Sequence, residues 1–292
     1  MYARRDLSAV SRTKPRFHPR PRVAPPGALT GLHPVREALR ARRRSLGRLH
    51  LSGAPRPEWA DLQALARDAG VRVVEGEPAP PDLAEQRPWV WLEAGPLPEL
   101  ELEALLAGAK APGATLVALD GVEDPQNLGA IARAADATGV AGIVLTRRHA
   151  PPLTDAVSRA SAGAIEWVPV SRVPNLNRAL AALKDAGFWV IGADLEASVD
   201  LFEAPDAWLR APRVLVVGAE GVGLRQGVLQ ALDHRVRIPM TGQVASLNVS
   251  AATAVVLFEL RRRDASRGKE SRPLKEDGHK RATRPPPASR SC

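Results

Sequence analysis

Three short stretches carry the side chains best suited to chemistry. The first, LDGVEDPQNLGAIARAADATGV at 119–140, ends an apolar run in an acidic turn, and Asn127 opens a helix that presents Arg133 about two turns in. A guanidinium held there could bind phosphate bidentately, or it could be one exposed arginine among many. The second, VLVVGAEGVGL at 214–224, sets Gly218, Glu220, Gly221 and Gly223 after a strand. Its spacing is G-x-x-G-x-G and not the G-x-G-x-x-G of a dinucleotide loop, and no acid follows at the usual distance to hold a ribose, so a tight turn is the plainer reading. The third, IPMTGQVASLNVSAATAVVLFEL at 238–260, joins a strand end to a polar turn and then to a long apolar helix. Ser246 stands where an N-cap should stand, its oxygen free to take an orphan N–H. A buried helix opening on Ser246, Leu247 and Asn248 would hold its first-turn polar groups rigidly, as a small ligand requires; the alternative is that Ser246 merely caps a core helix. None of the three stretches contains a histidine or lysine.

The elements that must position these groups follow from the apolar pattern. From Thr115 onward, strand candidates at 115–119, 142–146, 166–170, 188–193, 213–218 and 234–239 alternate with helix candidates at 127–138, 153–161, 174–186 and 224–231, and 249–260 closes the series. Continuous apolar strands such as VLVVG belong in parallel sheets covered on both faces, so the region 114–260 is expected to be an α/β domain with a mainly parallel sheet. Upstream, a helix at 33–43 and another at 57–69, with short strands at 48–52, 71–75 and 89–93, predict a small α/β unit over 28–95. Residues 96–113, rich in Pro, Glu and Gly, read as a linker with one or two helical turns.

The net charge of +9 is unevenly spread: residues 1–27 carry +6 and residues 261–292 carry +7, leaving −4 for the span between. Two Pro- and Arg-rich ends with few apolar residues are expected to be basic disordered tails, which are either plain solvated segments or contacts for a polyanion such as RNA. The one cysteine, Cys292, excludes an internal disulfide framework and a Cys-based metal site within one copy, so no metal is expected. No apolar run approaches a membrane helix, and residues 1–23 could pass for an organelle-targeting segment but not for a secretory signal, so a cytoplasmic location is expected.

Taken together the three stretches are far more specific than any one alone. Asn127-x-Gly129-x-x-x-Arg133, then Gly218-x-Glu220-Gly221-x-Gly223-Leu224, then Ile238-Pro239-Met240-x-Gly242-x-x-x-Ser246-Leu247-Asn248 resembles, in order and spacing, the three motifs of the SpoU (TrmH-type) RNA 2′-O-ribose methyltransferases of the SPOUT superfamily. The resemblance covers 115–260 closely. GLHPVREALRA at 31–41 is similar, more loosely, to the small ribosomal-protein-like RNA-binding domain of the subgroup that modifies a guanosine of large-subunit rRNA.

The resemblance implies a catalytic domain closed by a deep trefoil knot, with S-adenosyl-L-methionine bent within it. Backbone groups at Gly218, Ile238 and Leu247 would hold the cofactor, with Met240 lining its adenine, while Asn127, Arg133, Glu220, Ser246 and Asn248 would surround the reacting ribose. It also implies a homodimer, with the helix 249–260 a candidate for part of its interface. Within the small unit, Arg36, Arg40, Arg42, Arg43 and Arg44 are expected to dock RNA phosphates. A tRNA substrate and a non-catalytic assembly factor of the same fold are the rival readings, although a factor freed from catalysis would tend to lose Asn127, Arg133 or Asn248, and all three are present.

Overall fold

The computed structural model describes residues 27–77, 89–109, 113–244 and 246–270. The basic tail expected over 1–27 therefore lies, save for Gly27, outside the described residues, as do 271–292. The chain divides into two compact units, the first gathering Met1–Leu100, Glu123–Asp136 and Pro151–Val170, the second Glu101–Val122, Ala137–Ala150 and Ser171–Cys292.

In the first unit, strands β1 (Ala28–Thr30), β2 (Leu46–Leu51), β3 (Val73–Glu75) and β4 (Val90–Ala94) form a sheet of order β1-β4-β2-β3. β4 runs antiparallel to both β1 and β2, whereas β2 and β3 are parallel. Helices α1 (Leu32–Ala41) and α2 (Glu58–Asp68) lie against it, and their apolar stripes meet the sheet in a core that includes Val35, Leu39, Leu49, Leu62 and Leu92. α3 (Leu102–Gly108), which belongs to the second unit, is the helical turn expected in the linker.

The helix α4 (Pro125–Thr138) and the short α5 (Asp155–Ala160) also contribute to this unit. Gly129 of α4 lies so close to Ala160 that a Cβ there would collide with it, which is the close packing its small residues predict. Asp155 accepts from the Thr30 backbone N–H at 2.7 Å and from its hydroxyl at 2.9 Å, tying α5 to β1.

The strand expected at 166–170 is not there. Gly163, at φ 85°, opens a 3-10 turn over Ala164–Glu166, and the strand β7 starts only at Val170 and ends at Val173. Pro169 has no N–H to give a strand ladder, and the turn drives Glu166 into a fully buried ion pair with Arg44 at 2.7 Å.

The second unit is built on a six-stranded sheet of order β10-β8-β9-β5-β6-β7, with β5 (Thr115–Asp120), β6 (Gly142–Thr146), β8 (Trp189–Ala193), β9 (Arg213–Gly218) and β10 (His234–Val236). The pairs β10–β8, β8–β9, β9–β5 and β5–β6 are all parallel. Every residue of β5 and β6 is buried, as continuous apolar strands covered on both faces require. Helices α6 (Leu176–Asp185) and α7 (Gln226–Ala231) complete the crossovers, and α8 (Val249–Glu270) follows the last loop.

α8 corrects two expectations. It is half-buried and not buried all round: Val249, Thr253, Val256, Leu257 and Leu260 are covered, while Ala251 and Phe258 are exposed. It also runs ten residues past 260, into the segment expected to be a tail. Those charges are not simply solvated. Arg263 is buried, donating to the carbonyls of Leu201, Phe202 and Ala204 and to Glu259 and Asp206, and Asp264 pairs with the buried Arg213. Arginine can be buried when its five donors are met, a condition composition does not reveal.

Candidate active site

The loop after β9 is shaped by one close approach and one left-handed residue. A Cβ on Gly218 would strike the backbone of Gly223, and Gly223 itself sits at φ 70°, open to glycine at little cost. The Gly223 N–H donates to the Ala219 carbonyl at 2.9 Å and the Ala219 N–H to Asp120 at 3.0 Å, so the chain reverses tightly and lifts Glu220 to its exposed tip. The tight-turn reading of these glycines is correct as far as it goes. What it misses is where the turn sends Glu220.

The Glu220 carboxylate meets the start of α8. It accepts from the Asn248 side-chain amide and, at 3.4 Å, from the Val249 N–H. The Asn248 carbonyl oxygen takes the Ser250 N–H at 2.9 Å and the Ala251 N–H at 3.4 Å. Asn248 is therefore the N-cap, two positions later than the Ser246 the sequence suggested, and Ser246 is exposed ahead of it. With both ends of its amide engaged, Asn248 has one orientation, and the carboxylate beside it lies at the favourable end of the helix dipole.

Ile238, Met240 and Leu247 lie on the connection between β10 and α8, whose described backbone follows no helix or strand from residue 238 to residue 248. Of the eight large apolar side chains exposed among the described residues, four, Val222, Met240, Val244 and Leu247, stand on this connection and on the Glu220 loop. Apolar side chains next to irregular backbone offer both a surface and hydrogen-bonding edges. That combination suits a flat heteroaromatic ring such as adenine.

Asn127 and Arg133 belong to α4, in the first unit, whereas Glu220, Ser246 and Asn248 belong to the second. The helix does not open at Asn127. Asp124 accepts from the Gln126 N–H at 2.9 Å, Pro125 takes the first helical position, and Asn127 is buried within the first turn. Arg133 is exposed two turns in.

The five expected RNA-contacting arginines separate. Arg44 is a correction: its guanidinium, 3% exposed, is spent on Glu166 and on the Gly95 carbonyl at 3.1 Å, so no phosphate can reach it. Burial pushes the Glu166 carboxyl above its ordinary range against the opposing pull of Arg44 and of the Ser158 hydroxyl. Arg43 donates to the carbonyls of Glu166 and Val168, and Arg36 pairs with Asp61 at 2.8 Å. Arg40 and Arg42 stay exposed at the end of α1.

One pair escaped the sequence reading. Asp120, the last residue of β5, is buried and accepts from the Arg225 backbone N–H at 2.8 Å and its Nε at 2.7 Å. The partners are 105 positions apart, and only their places after adjacent parallel strands could have joined them.

Comparison with known proteins covers the region that holds these loops. The SpoU rRNA Methylase family model matches residues 114–258. A 23S rRNA (guanosine-2'-O-)-methyltransferase RlmB of Pseudomonas syringae pv. tomato is 38% identical over 250 residues, covering 81% of this chain and 96% of that protein. The same-named protein of Shewanella oneidensis is 45% identical over 163 residues, which are 56% of this chain and 64% of that protein. Among solved structures, the AdoMet-bound rRNA methyltransferase from Sinorhizobium meliloti superposes with a TM-score of 0.66 at 29% identity, over 81% of this chain and 87% of that one. The SpoU methyltransferase AviRb from Streptomyces viridochromogenes gives 0.69 at 25% identity, over 82% and 90%. The chain belongs to the SpoU rRNA methylase family.

Proposed function

We propose that this protein transfers a methyl group from S-adenosyl-L-methionine to the 2′-hydroxyl of a guanosine ribose in large-subunit rRNA. The observation that carries the reading is the Glu220–Asn248 contact, which brings the second and third motifs together at the start of α8. The activity that names a relative matched over nearly its whole length, and the AdoMet bound in the Sinorhizobium meliloti structure, support the substrate and the cofactor.

The cofactor fits the loops on this chain's own terms. Backbone groups at Gly218, Ile238 and Leu247 would hold it, and Met240 would cover its adenine. Bound there, it supplies a methyl group on a positively charged sulfur. The remaining work falls to the protein: aligning the hydroxyl and accommodating its proton. Asn248, fixed at both ends of its amide, and Glu220 are rigid enough to orient a ribose, with Ser246 and Asn127 beside them in role. Arg133 binds a substrate phosphate bidentately and stabilises it as the phosphate relays the proton, because a guanidinium is a poor base but a strong anion partner.

The same reading includes a trefoil knot in the region 114–260, a ribosomal-protein-like RNA-binding domain at 28–95 joined through 96–113, and a cytoplasmic setting. Arg40 and Arg42 are the arginines of α1 best exposed to dock phosphates. A homodimer is supported by the exposed Phe258 on α8. No helix among the described residues is long and apolar enough to cross a membrane.

Incubation of the protein with labelled S-adenosylmethionine and, separately, unmodified large-subunit rRNA and tRNA tests the reading. Label in rRNA is the expected result. Label in tRNA alone would keep the reaction and overturn the substrate, and label in neither would favour an assembly factor.

A further inference from the structure

A cleft of about 380 Å³ lies at the carboxyl ends of β5 and β6 in the second unit. None of the residues expected to touch cofactor or ribose lines it. Its walls come from the end of β5 (Asp120), the turn after β6 (Thr146, Arg148, His149), the opening of α6 (Asn177) and the residue before α7 (Arg225). The carboxyl ends of parallel strands are where open α/β sheets take their ligands, and the volume is that of a small-molecule or single-nucleotide site.

The charge of the lining is directional. Asp120 is its one acid, and that carboxylate is buried and already engaged by Arg225, whose side chain remains half exposed. Arg148 is exposed on another wall. The cleft is thus cationic within a span, residues 28–260, that carries a net −4. His149 adds a second observation, for it holds φ at 60°, a left-handed conformation that non-glycine residues enter at a cost and that clusters at functional sites. The Thr146 hydroxyl donates to the Arg148 carbonyl and closes this turn, which fixes Arg148 and His149 at the rim.

We infer that this cleft binds the sugar–phosphate backbone of the RNA substrate at a nucleotide away from the reacting ribose, with Arg148 and Arg225 as the phosphate contacts. The inference rests on the RNA-methyltransferase reading and adds a subsite to it. Two guanidiniums on separate elements can grip one phosphate from two sides or two successive phosphates. In either case they position the strand without reading its sequence.

Full-length Arg148→Gln and His149→Gly proteins, compared with wild type, test this. Binding is measured to an unmodified large-subunit rRNA transcript across a salt series and, by calorimetry, to S-adenosylmethionine. Arg148→Gln should raise the Kd for the transcript about tenfold and lower the salt slope by about 1, with the cofactor Kd held within about twofold. His149→Gly should also weaken transcript binding, yet leave the thermal midpoint no lower, since glycine takes this φ freely. Unchanged transcript affinity and slope in both variants overturns the assignment. Weakened cofactor binding with intact RNA affinity overturns it too, and gives the cleft to the cofactor. A wild-type protein that neither binds nor methylates the transcript would bring down the methyltransferase reading itself, and this subsite with it.

Discussion

Asn248 serves the fold and the proposed chemistry with one amide. Its oxygen caps α8 and its nitrogen holds Glu220, so the two roles can be separated by substitution. Asn248→Ala should cost about 1 kcal/mol of stability through the lost cap. Asn248→Asp keeps an N-cap oxygen but replaces the donor with a second carboxylate beside Glu220; it should retain most of that stability and still lose turnover. Urea denaturation and single-turnover assays of both variants check this, and an active Asn248→Asp enzyme would remove the amide from the site. At this scale the sequence was informative where spacing along the chain carries the contact. Glu220 and Asn248 stand in recognisable strings, whereas Asp120 and Arg225 meet only because the sheet sets β5 beside β9. Ser246 misled as a cap because serine and asparagine are both good caps, and two residues of register cannot be read from residue type.

Elements were legible where their apolar pattern was continuous and lost where charge was folded in. β5, β6 and β9 stand within a residue of their expected places, because fully buried strands leave an unbroken apolar run. The continuation of α8 and the loss of the strand at 166–170 both depend on charges that find partners in space. Hydrogen bonds from Arg262 and Arg263 hold the Glu259 carboxyl at about 2, below its ordinary 4.5. Because the folded value is the lower one, this contribution is present above pH 4.5 and is lost as pH falls toward 2. Glu259→Gln should therefore flatten the decline of unfolding free energy between about pH 4.5 and 2, measured by denaturant titration across that range. The Arg44–Glu166 pair behaves differently, because it is fully buried. Arg44→Met should cost about 3–5 kcal/mol by stranding the carboxylate, and adding Glu166→Gln should restore part of that loss. A single variant as stable as wild type would mean that Glu166 is protonated or solvated without Arg44.

For the whole molecule, sequence order is a poor guide to compactness. The linear division into a small unit, a linker and a catalytic region is interrupted, since 151–170 joins the N-terminal residues through Asp155 and Glu166, and 123–136 packs on 151–170 at Gly129. Asn127 and Arg133 accordingly belong to one unit, while Glu220, Ser246 and Asn248 belong to the other. Whether Arg133 serves methyl transfer to a ribose 2′-hydroxyl is read most directly from the linkage that carries the label. Large-subunit rRNA is methylated with labelled S-adenosylmethionine by wild type and by Arg133→Ala, then digested with alkali, which cleaves every linkage except one whose 2′-oxygen carries a methyl group. With wild type, label is expected in an alkali-resistant dinucleotide. With Arg133→Ala the rate should fall by about 10²–10⁴ at nearly unchanged cofactor affinity. Label released with single nucleotides, or an Arg133→Ala enzyme as fast as wild type, would contradict this reading.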